Sequence, residues 1–253
     1  MKSSTDIHWN TRAQTVEKDL EVNIMDVFQR NLEYDAICSY ITPKMEILEV
    51  GCGNGYSTSI FRKLAKHVDA FDYSEDMIQR AKRAFKETNN RFFVDNVLAP
   101  KYINKKYDLV LCIRVLINLS NLDEQQLAIR NLTPFIKNGG LVIFLEGFKD
   151  GFLELNLIRD KVKLPKIEPA KINFYSSVGD LIALLKDNFS IEQEIHLGSY
   201  DYLTRFVYPY LVGQENVKHN TNFHEKAYSL ALVYNPDSFK HLSRVRGFVL
   251  KKK

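Results

Sequence analysis

The chain has 253 residues, 45% hydrophobic and 26% charged, with 35 Lys+Arg against 31 Asp+Glu and a net charge of +4 at pH 7. That balance belongs to a globular protein and excludes a disordered polyampholyte or a low-complexity repeat. No run approaches the roughly 18 apolar residues of a membrane span. Met1–Asn10 lacks the apolar stretch of a signal peptide, and Cys38, Cys52 and Cys112 stand singly, with no C-x-x-C pair for zinc or a disulfide framework. A soluble, cytoplasmic protein is expected, and its slightly basic balance leaves a nucleic-acid partner to be weighed.

Residues 20–41 read as a helix leading into a first strand over Met45–Gly51. Ser57–Lys66 follows as a helix, with Ile60, Phe61, Leu64 and Ala65 at helical spacing, and His67–Asp72 is a second strand. Glu75–Lys86 is predicted helical, with Ser74 as its N-cap and Met77, Ile78, Ala81, Ala84 and Phe85 on one face. Arg91–Asp95 and Tyr107–Ile113 are the third and fourth strands. Asp123–Lys137 is predicted helical, with Pro134 bending or fraying its last turn and Asn138-Gly139-Gly140 stopping it before a fifth strand, Leu141–Glu146. A helix is expected around Phe152–Leu164, and another over Val178–Asn188 capped by Ser177 and Asp180. Strands over Ser190–Leu197 and Arg246–Lys251 enclose an aromatic-rich insertion, about 199–243, holding His219, His224 and His241. Such β–α alternation with short connections implies a mostly parallel sheet with helices on both faces. Without a Gly/Ser linker or repeat, one domain over 1–253 is expected. It comprises an N-terminal helical cap at 1–44, a sheet core at 45–147, decorations at 148–189 and 199–243, and two last strands at 190–198 and 246–251.

Leu48–Gly55 reads L-E-V-G-C-G-N-G, between a strand and a helix. Gly51, Gly53 and Gly55 alternate, and Asn54 tolerates left-handed backbone angles. Such a loop brings backbone N–H groups close to a ligand at the positive end of a helix. The dinucleotide fingerprint G-x-G-x-x-G would place its third glycine at position 56, which is Tyr56, so a nicotinamide oxidoreductase is disfavoured. Asp72, about 20 residues on at a strand end, is placed to accept ribose hydroxyls. Asp95, at the next strand end, is placed to take an amine proton from an adenine edge.

In sequence order, L-E-V-G-C-G-N-G-Y-S, F-D-Y-S-E-D-M (Phe71–Met77), V-D-N (Val94–Asn96), Y-D-L-V-L-C and I-K-N-G-G-L-V-I-F resemble the successive motifs of class I S-adenosylmethionine-dependent methyltransferases, over about Glu46–Glu146. The resemblance implies a Rossmann-like α/β fold, with a seven-stranded, mostly parallel sheet whose last strand is antiparallel and inserts beside Ser190–Leu197. It implies that S-adenosylmethionine is bound and S-adenosylhomocysteine released. Glu49, Gly51, Gly53, Asn54 and Gly55 would line the methionine end, Asp72 the ribose, Tyr73 and Met77 the faces of the adenine, and Asp95 with Asn96 its polar edge. Ile113 and Arg114 at the fourth-strand exit join this set. Trp9, Arg12 and Arg30 would fold over the cofactor, an arginine pairing its carboxylate; alternatively, Arg30 belongs to a helix that simply packs on the sheet.

The fourth-strand exit, Ile113-Arg114-Val115-Leu116-Ile117-Asn118, lacks an N-P-P-Y tetrapeptide and the Pro-Cys nucleophile of cytosine C5 methyltransferases, Cys112 being followed by Ile113. Nucleic-acid base methylation therefore loses its signals. The decorations are similar to small-molecule methyltransferases of bacterial surface-polysaccharide and secondary-metabolite clusters. Asn173, Tyr175, Tyr200, Tyr202 and Arg205 are the substrate candidates, as aromatic planes and fixed donors for a polyhydroxylated or phosphorylated ligand. For a hydroxyl acceptor, Glu146 is the first candidate base and His219 and His224 the alternatives; no carboxylate cluster marks a metal site. The expected activity is O-methylation of a small hydroxylated metabolite, a sugar or nucleotide-linked sugar in glycan biosynthesis. N-methylation of a small amine, or a catalytically silent cofactor-binding partner subunit, are the alternatives. Residues 1–150 carry 20 basic and 20 acidic side chains, and Lys251, Lys252 and Lys253 supply three of the four excess charges at an end expected to fray. The charge thus describes a tail and no nucleic-acid face.

Overall fold

The computed structural model describes residues 4–16, 22 and 25–253, with side chains from His8 onward. Its elements run α1 (Ser4–Thr15), α2 (Val27–Cys38), β1 (Glu46–Val50), α3 (Tyr56–Phe61), β2 (His67–Asp72), α4 (Glu75–Ala84), β3 (Asn90–Val94), β4 (Tyr107–Ile113), α5 (Leu122–Leu132) and β5 (Ile136–Gly147). After these come α6 (Lys149–Lys161), α7 (Val178–Leu185), β6 (Phe189–His196), α8 (Gly198–Tyr202), α9 (Tyr208–Val212), α10 (Asn222–Val233) and β7 (Val245–Lys252). The seven strands form one sheet in the order β3-β2-β1-β4-β5-β7-β6. β1 to β5 pair in parallel, and β7 lies antiparallel between β5 and β6. The terminal strand thus inserts beside the penultimate one, as the resemblance implied.

Alternation along the strands sends successive side chains to opposite faces. Ile47, Leu109, Leu111, Ile143 and Leu145 pack against α2, α3 and α4 through Leu32, Ile37, Phe61 and Ile78. Leu48, Val50, Val110, Val142, Phe144 and Phe248 pack on the other face against Ala128 and Leu132 of α5 and Leu181 and Leu185 of α7. Both cores lie behind the strand C-termini, leaving that edge to the loops.

Several boundaries differ from expectation for local reasons. α5 ends at Leu132 and passes into a 3-10 turn over Thr133–Phe135, because Pro134 has no N–H to continue the ladder. β5 already begins at Ile136: Tyr107 pairs Ile136 and the register then shifts to Leu109–Leu141, so the Asn138-Gly139-Gly140 stretch is an irregularity inside a strand. The helix expected over 20–41 forms only over Val27–Cys38, started by Asp26 accepting from Gln29 N; residues 20, 21, 23 and 24 lie outside the described residues. Ser177 and Asp180 form a reciprocal capping box at α7. The lysine tail does not fray where expected: Lys252 Nζ donates to the Thr133 and Ile136 carbonyls, and Lys253 N to the Asn188 carbonyl.

Candidate functional site

A cavity of about 180 Å³ opens over the C-terminal ends of β1, β2 and β4. The β1 loop forms its floor. Gly51 has φ +66°, and a Cβ there would lie 2.5 Å from Val115 Cγ2, so glycine lets this loop close on the β4 exit. Gly55, at φ +78°, starts α3 where a side chain would strike Phe92 and Ala81. Asp72 ties the floor to the next loop: its carboxylate accepts from Gly53 N and from Ser74 N, both at 2.9 Å. Burial pushes this carboxyl up to about 6 against the pull of those donors. Glu49, buried beside it, accepts from Ser57 Oγ and Thr58 Oγ1, and burial pushes it up to about 7.

Two helices close the cavity. On α2, Arg30, Glu33 and Tyr34 share one face by their three- and four-residue spacing and line the cavity, with the Arg30 guanidinium 5.4 Å from the Tyr56 ring centroid. α1 reaches across the mouth. Trp9 Nε1 donates to Asn118 Oδ1 at 3.0 Å at one end, and Ser74 Oγ donates to Asn10 Oδ1 at 2.6 Å at the other. Trp9 also packs with Ala13 and Met77.

The β4 exit turns on Arg114, whose φ of +55° is unusual for a side-chain-bearing residue. Its N donates to the Leu145 carbonyl at 2.8 Å, and its guanidinium pairs with Glu33, Nε donating to Oε2 at 3.1 Å and Nη2 to Oε1. Burial works against the charged arginine, yet Glu33 holds it above its ordinary value.

Arg30, Glu49, Gly51, Gly53, Asp72, Tyr73, Met77, Ile113 and Arg114 therefore border a single cavity, with Asn54 and Gly55 buried outside its lining. Asp95 and Asn96 are placed differently, in a neighbouring hollow that shares Tyr73. Asp95 accepts from the Asn96, Lys101 and Tyr102 N–H groups, so its carboxylate braces its own loop and is not left for an adenine edge. Of the acceptor candidates, Asn173 alone lines the cavity, donating through Nδ2 to Tyr175 Oη at 3.0 Å. The Tyr175 ring packs over Gly147 and edge-on to Phe152. The other three lie elsewhere: Tyr200 is buried with its hydroxyl on Asp26, Tyr202 stacks on Phe239, and Arg205 pairs with Asp26. Tyr200 and Arg205 thus join the insertion to the start of α2, while Tyr202 packs within the insertion.

Glu146 is also corrected. It does not border the cavity; its carboxylate accepts from Val115 N and Leu116 N at 2.9 Å and from Ile117 N at 3.3 Å. It anchors the β4 exit loop, and burial pushes it up to about 8 against those three donors. Glu146→Gln presents an amide N–H to backbone donors and is expected to cost about 1–3 kcal/mol, seen as a lowered Tm with any activity loss following stability. A fall in kcat of about 100-fold or more at unchanged Tm would restore Glu146 as a base. His219 and His224 lie in the insertion beside Asp26, also outside the cavity lining.

Glu33, Tyr34, Ser57, Val115, Ile117 and Asn118, for which no site role was expected, also line the cavity. The helical spacing from Arg30 was a usable signal for the first two.

The Methyltransferase domain family matches residues 47–140. The chain is 32% identical over 149 residues to malonyl-[acyl-carrier protein] O-methyltransferase 2 of Ilyobacter polytropus, covering 57% of this chain and 54% of that protein. It is 33% identical over 101 residues to the ubiquinone biosynthesis O-methyltransferase of Rickettsia akari, covering 40% of this chain and 39% of that one. The chain thus matches about half or less of the length of these curated relatives. In fold it is similar to the N-methyltransferase NodS of Bradyrhizobium japonicum WM9 in complex with S-adenosylhomocysteine, with a TM-score of 0.60, 12% identity and 99% of both chains covered. The residues present fit that cofactor: the buried carboxylates of Glu49 and Asp72 and the buried Arg30 line one cavity beside a glycine loop, where hydroxyls, an ammonium and a carboxylate need partners. The family match over residues 47–140 and the fold shared with NodS identify a Rossmann-like methyltransferase domain within this chain.

Proposed function

We propose that this protein methylates a small acceptor on an oxygen that is already anionic at neutral pH, a carboxylate, to give a methyl ester. One observation carries the reading: every acidic side chain bordering the cavity, among the described residues, is already engaged. Glu33 pairs with Arg114, Glu49 accepts from Ser57 and Thr58, and Asp72 accepts from Gly53 and Ser74. A sugar hydroxyl needs a base within hydrogen-bond reach, whereas a carboxylate has no proton to lose. Surface-polysaccharide acceptors also have no counterpart in the names of the relatives above. The malonyl group named for the Ilyobacter protein carries a carboxylate, which supports the same class.

Bound S-adenosylmethionine supplies an electrophilic methyl group on a sulfonium. The protein's part is to hold, orient and exclude water. In this reading Asp72 accepts from the ribose, Glu49 and Arg30 meet the amino-acid end, and Tyr73 and Met77 flank the base. Arg114, Asn118 and Asn173 form the acceptor wall, with the guanidinium offering the cation for an acidic acceptor. Trp9, fixed by Asn118, keeps water from the mouth.

The test is transfer from methyl-labelled S-adenosylmethionine to panels of small carboxylic acids, phenols, sugars and amines, followed by mild base. Label released as volatile methanol identifies a methyl ester. Label that stays on the product shows an ether or an N-methyl group and overturns the carboxylate assignment.

A further inference from the structure

The insertion's histidines meet at the start of α2. Asp26, His219 and His224 each offer one ligand atom, and these atoms lie within 4.8 Å of one another. His224 is fully buried in the first turn of α10; its Nδ1 meets Thr221 Oγ1 at 2.9 Å, and its Nε2 has no hydrogen-bond partner among the described residues. A buried polar nitrogen is rarely left so without a purpose. With Nδ1–H donating to Thr221, Nε2 carries a lone pair, the arrangement in which an oxygen partner orients a metal-binding imidazole.

Asp26 is equally constrained. One carboxylate oxygen accepts from Gln29 N at 3.0 Å and Tyr200 Oη at 2.7 Å, while the other, among the described residues, accepts only from Arg205. A carboxylate oxygen has two lone pairs, so the second oxygen keeps one. The neighbouring guanidiniums are paired, Arg205 with Asp26 and Arg244 with Asp201 at 2.7 Å. His219 is exposed and gives solvent, or an ion, a way in.

The geometry points to a divalent transition-metal site of the zinc class, formed by Asp26, His219 and His224 with solvent completing the coordination. Two imidazoles and one carboxylate suit zinc and its neighbours and disfavour magnesium or calcium. Tetrahedral zinc, with bonds of about 2.0–2.2 Å, sets ligand atoms about 3.3–3.5 Å apart. Closure therefore asks for a shift of about 1 Å at those bond lengths, which the exposed His219 can supply. The ion would tie the N-cap of the helix that carries Arg30 and Glu33 to the insertion, making it a structural clasp on the cofactor cavity.

Calorimetry of tag-free protein with Zn²⁺ tests this, with Co²⁺ as the spectroscopic probe. One equivalent bound at micromolar or tighter affinity, intense visible Co²⁺ bands of a tetrahedral site, and a zinc-dependent rise in Tm are expected. His219→Ala, a surface change that leaves the fold, and His224→Asn should each weaken binding at least tenfold and remove the Tm rise. No stoichiometric zinc binding, or undiminished affinity in His219→Ala, overturns the proposal. These readouts are independent of methyl transfer, so the site and the carboxylate reading stand or fall separately.

Discussion

Asp72→Ala is expected to weaken S-adenosylmethionine binding by about 100-fold or more, measured by calorimetry. Hydrogen bonds to a charged group contribute about 1.5–3 kcal/mol each, so losing two from the ribose hydroxyls exceeds the roughly 2.7 kcal/mol of a 100-fold change. The substitution also strips Gly53 N and Ser74 N of their acceptor, so the floor of the cavity loosens even without ligand. Tm should fall with affinity, and unchanged affinity would remove Asp72 from the cofactor site.

The same carboxyl predicts how binding responds to pH. Burial raises Asp72 to about 6 and Glu49 to about 7. Groups raised in the folded state contribute stability that is full below their unfolded values near 4 and is lost as pH rises through about 6 and 7. Tm of the free protein should therefore slope downward across that window. A ligand that presents hydroxyls and an ammonium favours both ionised forms, so it displaces their protons. S-adenosylmethionine affinity is accordingly expected to rise across the same window and level off above it. Calorimetry near pH 6 in buffers of different ionisation enthalpy should show proton release on binding. A flat affinity profile, or no release, would mean that neither carboxyl meets the ligand.

What could be read in advance follows from how local each signal is. The glycine loop, Asp72 and the strand alternation are set by residues close in sequence, whose spacing already determines backbone shape and sheet edge. The cavity gathers them as a consequence of β1 and β2 being neighbours. Glu146 was legible as a strand-end carboxylate but not as a loop anchor, because its three donors come from a segment about 30 residues away, across the β4–β5 pair. Asp95 carried the same ambiguity, decided by a turn that folds Lys101 and Tyr102 back onto it. Tyr200 and Arg205 of the insertion could not be assigned at all, since their partners Asp26 and Gln29 lie more than 170 positions away. Aromatic composition says that such side chains will be covered, and only the tertiary fold says by what.

Arg114→Ala is expected to be the most destabilising single change at the cavity. Glu33 is 2% exposed and is held by Arg114 and by Gln29 Nε2 at 3.0 Å. Removing the arginine leaves a buried carboxylate without its cation, a loss of about 3–5 kcal/mol. At roughly 2–4 °C per kcal/mol for a chain of this size, Tm should drop by about 6–20 °C. Relief of the φ of +55° recovers none of this, because alanine meets the same left-handed strain that arginine does. Glu33→Gln keeps the shape and leaves the guanidinium at the cavity wall, so it should cost less stability while freeing Arg114 to tilt. In a double-mutant cycle, Glu33→Gln combined with Arg114→Ala should be clearly more stable than the sum of the two single losses, because the buried charge that makes Arg114→Ala costly is gone. Simple additivity would show that the pair does not hold the wall together. With the carboxylate acceptor proposed above, Glu33→Gln should raise KM for the acceptor more than it lowers kcat. The arginine would then still supply its charge but no longer its fixed direction.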